Sequence, residues 1–245
     1  MQIDAYFQTI IAALQEVQKS ERTAMERVAT LFAETIRAGR TIFISGCSHS
    51  SIFAQEVFYR AGGLMLMNPL FLPGMTLEMP PATRTTRFER ISGIAEAVLE
   101  ESPIIEGDVL VLASISGRNA VPIEMAQWAR ERGIRVVALT SMRYGAAVTS
   151  RHASGKRLFE LADEVLDVQS PPGDAVLDIP GLPVRSAPSS TVVGVTMLHA
   201  VISEAIEKLL AMGITPPVFV SANVEGGDEL NARLLAEYRD RIHYM

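Results

Sequence analysis

The chain has 245 residues, of which 48% are hydrophobic and 20% charged, a composition that fits a globular fold and excludes extensive disorder. Its formal net charge of −6 excludes a general nucleic-acid binder, because phosphate backbones are held mainly by clustered Lys and Arg. The single cysteine, Cys47, excludes an intramolecular disulfide, and no stretch reaches about 18 apolar residues, so the sequence predicts a soluble cytoplasmic protein without membrane contact.

The first third of the chain predicts helices and strands in alternation. Residues 1–38 carry apolar side chains at helical spacing, which predicts one long helix or a helical pair. Arg40 to Ser45 is short and β-branched and predicts a buried strand, followed by a helix from Ser50 to Arg60 and a second strand from Leu64 to Leu72. Residues 73–87 mix Pro, Gly, Thr and Met without periodicity and predict a loop long enough to be functional.

The middle of the chain contains the clearest periodicity. A helix is expected from Phe88 to Glu101. Asp108 to Ser114, Asn119 to Arg132 and Ile134 to Thr140 then read as strand, helix and strand with short connections. This pattern is typical of a parallel βαβ unit with a right-handed crossover. Val165 to Val168 predicts a fifth, short strand.

The last third is expected to contain one buried helix between irregular segments. Ser170 to Pro188 is rich in Pro and Gly and predicts irregular structure, whereas Thr191 to Met212 is apolar on nearly every face and predicts a central, buried helix. The tail ends in a polar helix from Asp228 to about Arg241. The expected segments of a single structural domain are an N-terminal helical segment 1–38, a central domain 39–212 and a C-terminal extension 213–245.

Hydroxyl-rich segments follow two of the predicted strands, where ligands bind in open parallel sheets. They are Ser45–Ser51 and Ser114–Asn119, and Gly46 and Gly117 within them would let the backbone approach an anion closely. The residues that could donate a hydroxyl to one phosphate are Ser48, Ser50, Ser51, Ser114 and Ser116. The alternative is that these serines only cap the helices that follow them.

Three segments resemble the SIS (sugar isomerase) domain family, specifically its phosphoheptose-isomerase-like branch. They are GCSHSS after the first strand, DVLVLASISGRNAVPIEMAQWARERGIRVVALT, and SSTVVGVTMLHAVISEAIEKL. The resemblance covers roughly residues 35–212, and Asn119 stands where the family usually has Ser or Thr. The tail from residue 213 resembles the closing segment of an uncharacterised SIS-domain subgroup.

The resemblance implies an α/β fold, a three-layer αβα sandwich with a five-stranded parallel sheet, preceded by a long N-terminal helix and followed by a helical tail. It implies a sugar phosphate or amino-sugar phosphate as ligand, contacted by Ser48, Ser114, Ser116 and Asn119, and a homodimer or homotetramer with active sites near subunit boundaries. The expected activity is aldose–ketose isomerisation through an enediol. A non-catalytic phosphosugar sensor and an amino-sugar-phosphate lyase or etherase are alternatives within the same fold.

In phosphoheptose isomerases a helix glutamate and a late histidine transfer the proton and assist ring opening, and the matching positions look like Glu56 and His199. An ordinary Glu56–Arg60 pair on a solvated helix face is the alternative for Glu56, and a satisfied core histidine for His199. Glu78 and Glu89, which flank the long loop, are rival bases.

No metal and no other cofactor is expected. The zinc-binding members of that branch draw ligands from positions that are Ile52 and Thr191 here, and neither is a plausible zinc ligand. Cys47 is expected to be a small residue that fits its turn and not a nucleophile. Arg118 and Arg143 follow strand ends, where they could assist anion binding or simply lie at the surface.

Overall fold

The computed structural model describes all residues 1–245 and places a five-stranded parallel sheet at the centre of the molecule, in the order β2-β1-β3-β4-β5. The strands are β1 (Ile42–Gly46), β2 (Met67–Pro69), β3 (Val109–Ala113), β4 (Arg135–Thr140) and β5 (Glu164–Asp167). Every neighbouring pair runs parallel. The strands are short and apolar because both of their faces are buried, as parallel sheets require.

Helices cover both faces of the sheet. The larger of two apolar clusters joins the sheet to α1 (Gln2–Ser20), α2 (Arg22–Arg37), α3 (Ser51–Val57) and α8 (Ser190–Ala211). The other cluster lies on the opposite face, against α5 (Ile94–Leu99) and α6 (Ala120–Glu131). The predicted three-layer αβα sandwich is therefore confirmed.

Three shorter helices complete the chain, together with one small hairpin. The helices are α4 (Thr83–Phe88), α7 (Met142–Ala146) and α9 (Gly227–Glu237). The hairpin pairs β6 (Ala175–Leu177) with β7 (Ser186–Pro188) in antiparallel fashion. No helix is long and apolar enough to cross a lipid bilayer.

Several predicted elements have different bounds in the structure. The N-terminal segment is a pair of helices that breaks at Glu21, not one long helix. Only Met67–Pro69 of the predicted strand 64–72 is paired in register with β1, and Leu64 instead forms an isolated antiparallel bridge with Val218. The predicted helix 88–101 is confined to Ile94–Leu99, since Gly93 has φ +88°, a left-handed conformation that interrupts a helix.

Other segments have a different type of secondary structure from the predicted one. The predicted loop 73–87 contains most of α4, the segment 170–188 contains the β6–β7 hairpin, and α7 was not predicted. The helix predicted over 50–60 begins as a 3₁₀ turn at Ser48–Ser50 and ends at Val57. The late helix α8 is buried along the face that packs on the sheet and α2, whereas Val192 and Leu210 are exposed, so it is not buried on every side.

The C-terminal tail lies along the edge strand β2. The buried side chain of Asn68 donates to the Arg241 carbonyl at 3.1 Å and accepts from the His243 N–H at 2.7 Å. The Tyr244 hydroxyl donates to the Met65 carbonyl at 2.8 Å. A side-chain amide therefore gives the tail the polar partners that another strand would supply.

Candidate functional site

The two serine segments leave the sheet side by side. Gly46, the last residue of β1, is paired in register with Ala113, the last residue of β3. Because the strands are parallel, Cys47 and Ser114 begin their loops at the same edge of the sheet.

A cavity of about 340 Å³ opens between these loops. Of the ten residues predicted for the site, it is lined by Ser48, Ser50, Ser114, Ser116 and Asn119. Three further regions contribute to its lining: the loop after α4, α7, and the hairpin with the start of α8. They include Glu89, Tyr144, Asp174, Ser190 and Thr191.

Three of the predicted serine hydroxyls have no partner within the protein. The side chains of Ser50, Ser114 and Ser116 form no hydrogen bond, although Ser114 is buried. The main-chain N–H groups of Ser116 and Asn119, two lining residues that precede α6, also donate to no protein acceptor. Uncommitted donors around one concave space at a helix N-terminus are the arrangement that holds an oxyanion such as a phosphate.

Ser48 is held by the long loop that precedes α4. Its φ is +55°, and its N–H donates to the Met75 carbonyl at 2.6 Å. Its hydroxyl is hydrogen-bonded to that of Thr85, which is buried, with the two oxygens 3.0 Å apart. The orientation of Ser48 is therefore fixed from outside its own loop.

The remaining three residues predicted for the serine loops lie outside the cavity. A Cβ added to Gly46 would lie 2.3 Å from the Ser50 carbonyl oxygen, so glycine is required there by the close approach of the loop to itself. The buried Ser51 donates its hydroxyl to the Ser48 carbonyl at 2.8 Å. Gly117 has φ +58° and lies against Leu158. These residues shape the loops, whereas their neighbours face the cavity.

Asp174 forms the opposite wall of the cavity and caps α8. Its carboxylate accepts hydrogen bonds from the N–H groups of Ser189 and Ser190 and from both hydroxyls, at 2.6 to 3.2 Å. The N-terminus of α8 thus already has an anionic partner, so it is not open to a ligand anion. The sequence carries no local signal for this contact, because Asp174 lies in a Gly-Asp turn 15 residues before the serines that it caps.

Glu89 brings a second carboxylate to the cavity. Its Oε1 accepts from Asn119 Nδ2 at 2.7 Å, and Arg151 Nη1 donates to Asn119 Oδ1 at 3.0 Å. Burial raises the pKa of Glu89, against the opposing charges of Arg90 and Arg151. Asn119 precedes α6 but its side chain does not cap that helix, so the capping alternative does not describe this residue.

Glu56 and His199 are brought together, but outside the serine cavity. His199 Nε2 lies 3.1 Å from Glu56 Oε1, and Arg60 forms an ion pair with the same oxygen. Burial and, to a smaller extent, the Arg60 guanidinium lower the pKa of His199. Neither side chain lines the cavity, and both are half-buried.

The single thiol is not poised for chemistry. Cys47 is buried with its Sγ 3.6 Å from Met75 Sδ. Burial and, to a smaller extent, the Glu89 charge raise its pKa to about 12, so the thiol is protonated at neutral pH. No group of three or more His, Cys, Asp or Glu side chains is arranged to hold a metal ion. Of the two positions that supply zinc ligands in some phosphoheptose isomerases, Ile52 lies on α3 and Thr191 lines the cavity.

Comparison with known proteins identifies relatives over nearly the full length. Residues 5–141 match the SIS domain. A UPF0309 protein of Oceanobacillus iheyensis is 43% identical over 240 residues, which cover 98% of each chain. A UPF0309 protein of Streptomyces griseus is 46% identical over 240 residues, covering 98% of this chain and 96% of the relative.

Solved structures share the fold at low sequence identity. A phosphoheptose isomerase from Francisella tularensis superposes with a TM-score of 0.56 at 16% identity, covering 84% of this chain and 97% of the other. A phosphoheptose isomerase from Neisseria gonorrhoeae gives a TM-score of 0.54 at 20% identity, covering 84% of this chain and 97% of the other. At such identity the likeness concerns the fold alone.

Proposed function

This chain belongs to the SIS domain family, and we propose that it binds a sugar phosphate in the serine cavity and interconverts its aldose and ketose forms through an enediol. The single observation that carries the proposal is the set of uncommitted donors in one cavity: the hydroxyls of Ser50, Ser114 and Ser116 and the N–H groups of Ser116 and Asn119. A phosphate monoester has three acceptor oxygens, which match such donors without any need for a cation.

The charges that line the cavity also indicate how a sugar phosphate would be oriented in it. The Asp174 carboxylate repels a phosphate, so in this proposal the phosphate group lies at Ser114 and Ser116 and the sugar hydroxyls extend toward Asp174. A volume of about 340 Å³ suits one small ligand of this kind. An amino-sugar phosphate meets the same requirements, because a carboxylate binds an ammonium group as well as a hydroxyl.

Isomerisation requires a base that moves one proton between C1 and C2. The roles predicted for Glu56 and His199 stay predictions, since the pair lies beside the cavity and not in its wall. That placement favours the second candidate function, a phosphosugar sensor that binds without turnover. Measuring turnover in the wild-type chain separates the two functions.

We further propose that the chain forms a homodimer or homotetramer in the cytoplasm. The outer face of α1 carries an apolar stripe of Ile3, Phe7 and Ile11, which are 61%, 64% and 51% exposed. Their i, i+4, i+8 spacing places them on one side of the helix, where a second copy would cover them. Light scattering of the wild type and Phe7→Glu tests this: a smaller particle for the variant is expected, and a monomeric wild type contradicts it.

Ligand binding is tested by thermal shift with a panel of hexose, heptose, pentose and amino-sugar phosphates, each beside its unphosphorylated sugar. A ligand at 100 times its Kd adds about 2.7 kcal/mol to the free energy of unfolding. We expect one class of sugar phosphate to raise the Tm and its unphosphorylated form to have no effect. Equal effects of both forms would contradict a phosphate-binding cavity.

A further inference from the structure

Glu89 is fixed to the start of α6 at two points. Its carbonyl accepts from the Val121 N–H at 3.1 Å, and its Oε1 accepts from Asn119 Nδ2 at 2.7 Å. The first bond holds the backbone of the loop after α4, and the second holds the side chain. The carboxyl group is thereby positioned in the wall of the cavity, beside the serine segment that is proposed to bind phosphate.

The hydrogen-bond partner of Glu89 is the neutral side-chain amide of Asn119, and Arg151 sets the orientation of that amide. The guanidinium of Arg151 has only donors, so the Asn119 atom that it contacts at 3.0 Å is the amide oxygen, and the amide NH₂ group faces Glu89. No Arg, Lys or His side chain contacts the Glu89 carboxylate, and its Oε2 has no hydrogen-bond partner. One carboxylate oxygen is therefore held in place while the other stays uncommitted toward the cavity.

The environment keeps this carboxylate basic. Burial is the largest influence on its pKa and raises it, while Arg90 and Arg151 act in the opposite direction from a distance. A general base works best when its pKa lies near the operating pH, and removal from water is the usual means of raising a glutamate toward that range.

Glu56 contrasts with Glu89 in each respect. Its Oε1 is shared by an ion pair with Arg60 and a contact with His199, and the group lies outside the cavity. Glu56 therefore already has an ionic partner, whereas the partner of Glu89 is a neutral amide.

We propose that Glu89 is the base that transfers the proton in the serine cavity, with Asn119 as the residue that positions it; this inference rests on the proposed isomerisation. The Glu89 carboxylate removes the C2 proton of the open-chain aldose. The C2–H electron pair forms the C1=C2 bond, and the carbonyl electrons of C1 move to O1, which takes a proton.

Glu89 then returns its proton to C1 of the resulting enediol. The O2–H bond breaks, O2 forms the new carbonyl with C2, and the proton it releases balances the one that O1 gained. No oxidant, reductant or further reactant is needed, so one carboxyl group serves both halves of the reaction.

The test is proton NMR of fructose 6-phosphate, ribulose 5-phosphate and sedoheptulose 7-phosphate incubated in D₂O with the full-length chain. We expect the wild type to introduce deuterium at C1 or C2 of at least one of them. Glu89→Gln keeps the shape and the contact with Asn119 but cannot accept the proton, so exchange is expected to fall by roughly 10² to 10⁴. The thermal shift caused by the same sugar phosphate should be retained.

The matched control is Glu96→Gln, an exposed glutamate on α5 that should exchange like the wild type. Glu89→Asp keeps a carboxylate and should recover part of the lost exchange, which separates a chemical role from a structural one. Asn119→Ala removes a hydrogen bond to the ionised carboxylate, so the acidic limb of the exchange rate should move to higher pH.

Two results would overturn the inference, and they differ from each other. Equal exchange by wild type and Glu89→Gln, or loss of exchange in Glu56→Gln alone, would remove Glu89 as the base while leaving the isomerase proposal intact. Binding of a sugar phosphate without exchange by the wild type would overturn both, and would leave a binding protein.

Discussion

The two carboxylate sites of this molecule differ in what surrounds them. In the serine cavity, Glu89 is held by a neutral amide among hydroxyls that have no protein partner. Beside the cavity, Glu56 is shared between a cation and an imidazole at a half-buried surface. The serine cavity therefore contains polar groups without partners in the protein, whereas the Glu56 carboxylate has its partners within the protein. Polar groups without hydrogen-bond partners in a concave site are the better indicator of a bound ligand.

The largest expected effect comes from filling the cavity. Ser116→Leu removes an uncommitted hydroxyl and occupies the space of the phosphate, so we expect sugar-phosphate affinity to fall by at least about 100-fold, the upper part of the 1.5–3 kcal/mol range for a hydrogen bond to a charged group. Isothermal titration calorimetry measures it. Thr23→Leu, an exposed threonine on α2, is the control and should bind like the wild type. Unchanged affinity in Ser116→Leu would place the ligand elsewhere.

A smaller effect should distinguish the two glutamates by stability. Because burial raises the pKa of Glu89, its carboxyl group ionises at a lower pH in the unfolded chain than in the folded chain. The contribution of this group to the free energy of unfolding is therefore lost as the pH rises through its folded pKa. Glu89→Gln should therefore be more stable than the wild type at neutral pH, with the difference disappearing below about pH 4, the ordinary range of glutamate.

Glu56→Gln should act in the other direction. It weakens a half-exposed ion pair with Arg60, which is worth roughly 0 to 1 kcal/mol. Urea unfolding of both variants at pH 4 and pH 7 measures the difference. A Glu89→Gln variant that is less stable than the wild type at pH 7 would mean that the contact with Asn119 outweighs the cost of burying the charge.

No effect at all is expected from chelators. Glu56 and His199 form the only predicted acid–base pair, but the two positions that complete a zinc site in some phosphoheptose isomerases are Ile52 and Thr191, which carry no suitable ligand atoms. Elemental analysis of the purified protein should find no stoichiometric zinc, and EDTA should leave the Tm unchanged. One zinc per chain would instead make the Glu56–His199 pair part of a metal centre.

The sheet and the two serine loops were predictable because their signals are local. Short, β-branched apolar runs such as DVLVLAS are typical of buried strands, and Gly and Ser directly after them indicate the sheet edge where ligands bind. The hairpin in residues 170–188 was not predicted, since two three-residue strands in a Pro- and Gly-rich segment produce no periodicity.

The other residues that line the cavity are harder to predict from the sequence than its serines. Asp174 reaches it through a cap that spans 15 residues, and Tyr144 through a five-residue helix that follows β4 directly. The sequence indicates Glu89 only as a rival base, because nothing near it along the chain shows that Asn119, 30 residues later, is its partner. Such contacts depend on how elements pack, which spacing along the chain does not encode.

The tail along β2 bears on how this protein reaches its native state in the cell. The partners of the Asn68 side chain in the tail are Arg241 and His243, which are synthesised more than 170 residues later. Until the ribosome has passed that point, the nascent sheet has an unprotected edge, and the Asn68 side chain has only the Leu66 carbonyl, at 3.3 Å, as a partner. An exposed strand edge is the kind of surface that pairs with other chains or recruits chaperones. Protection of this sheet edge therefore depends on the synthesis of residues 241–244, and a chain interrupted before residue 241 retains an uncovered β2 edge.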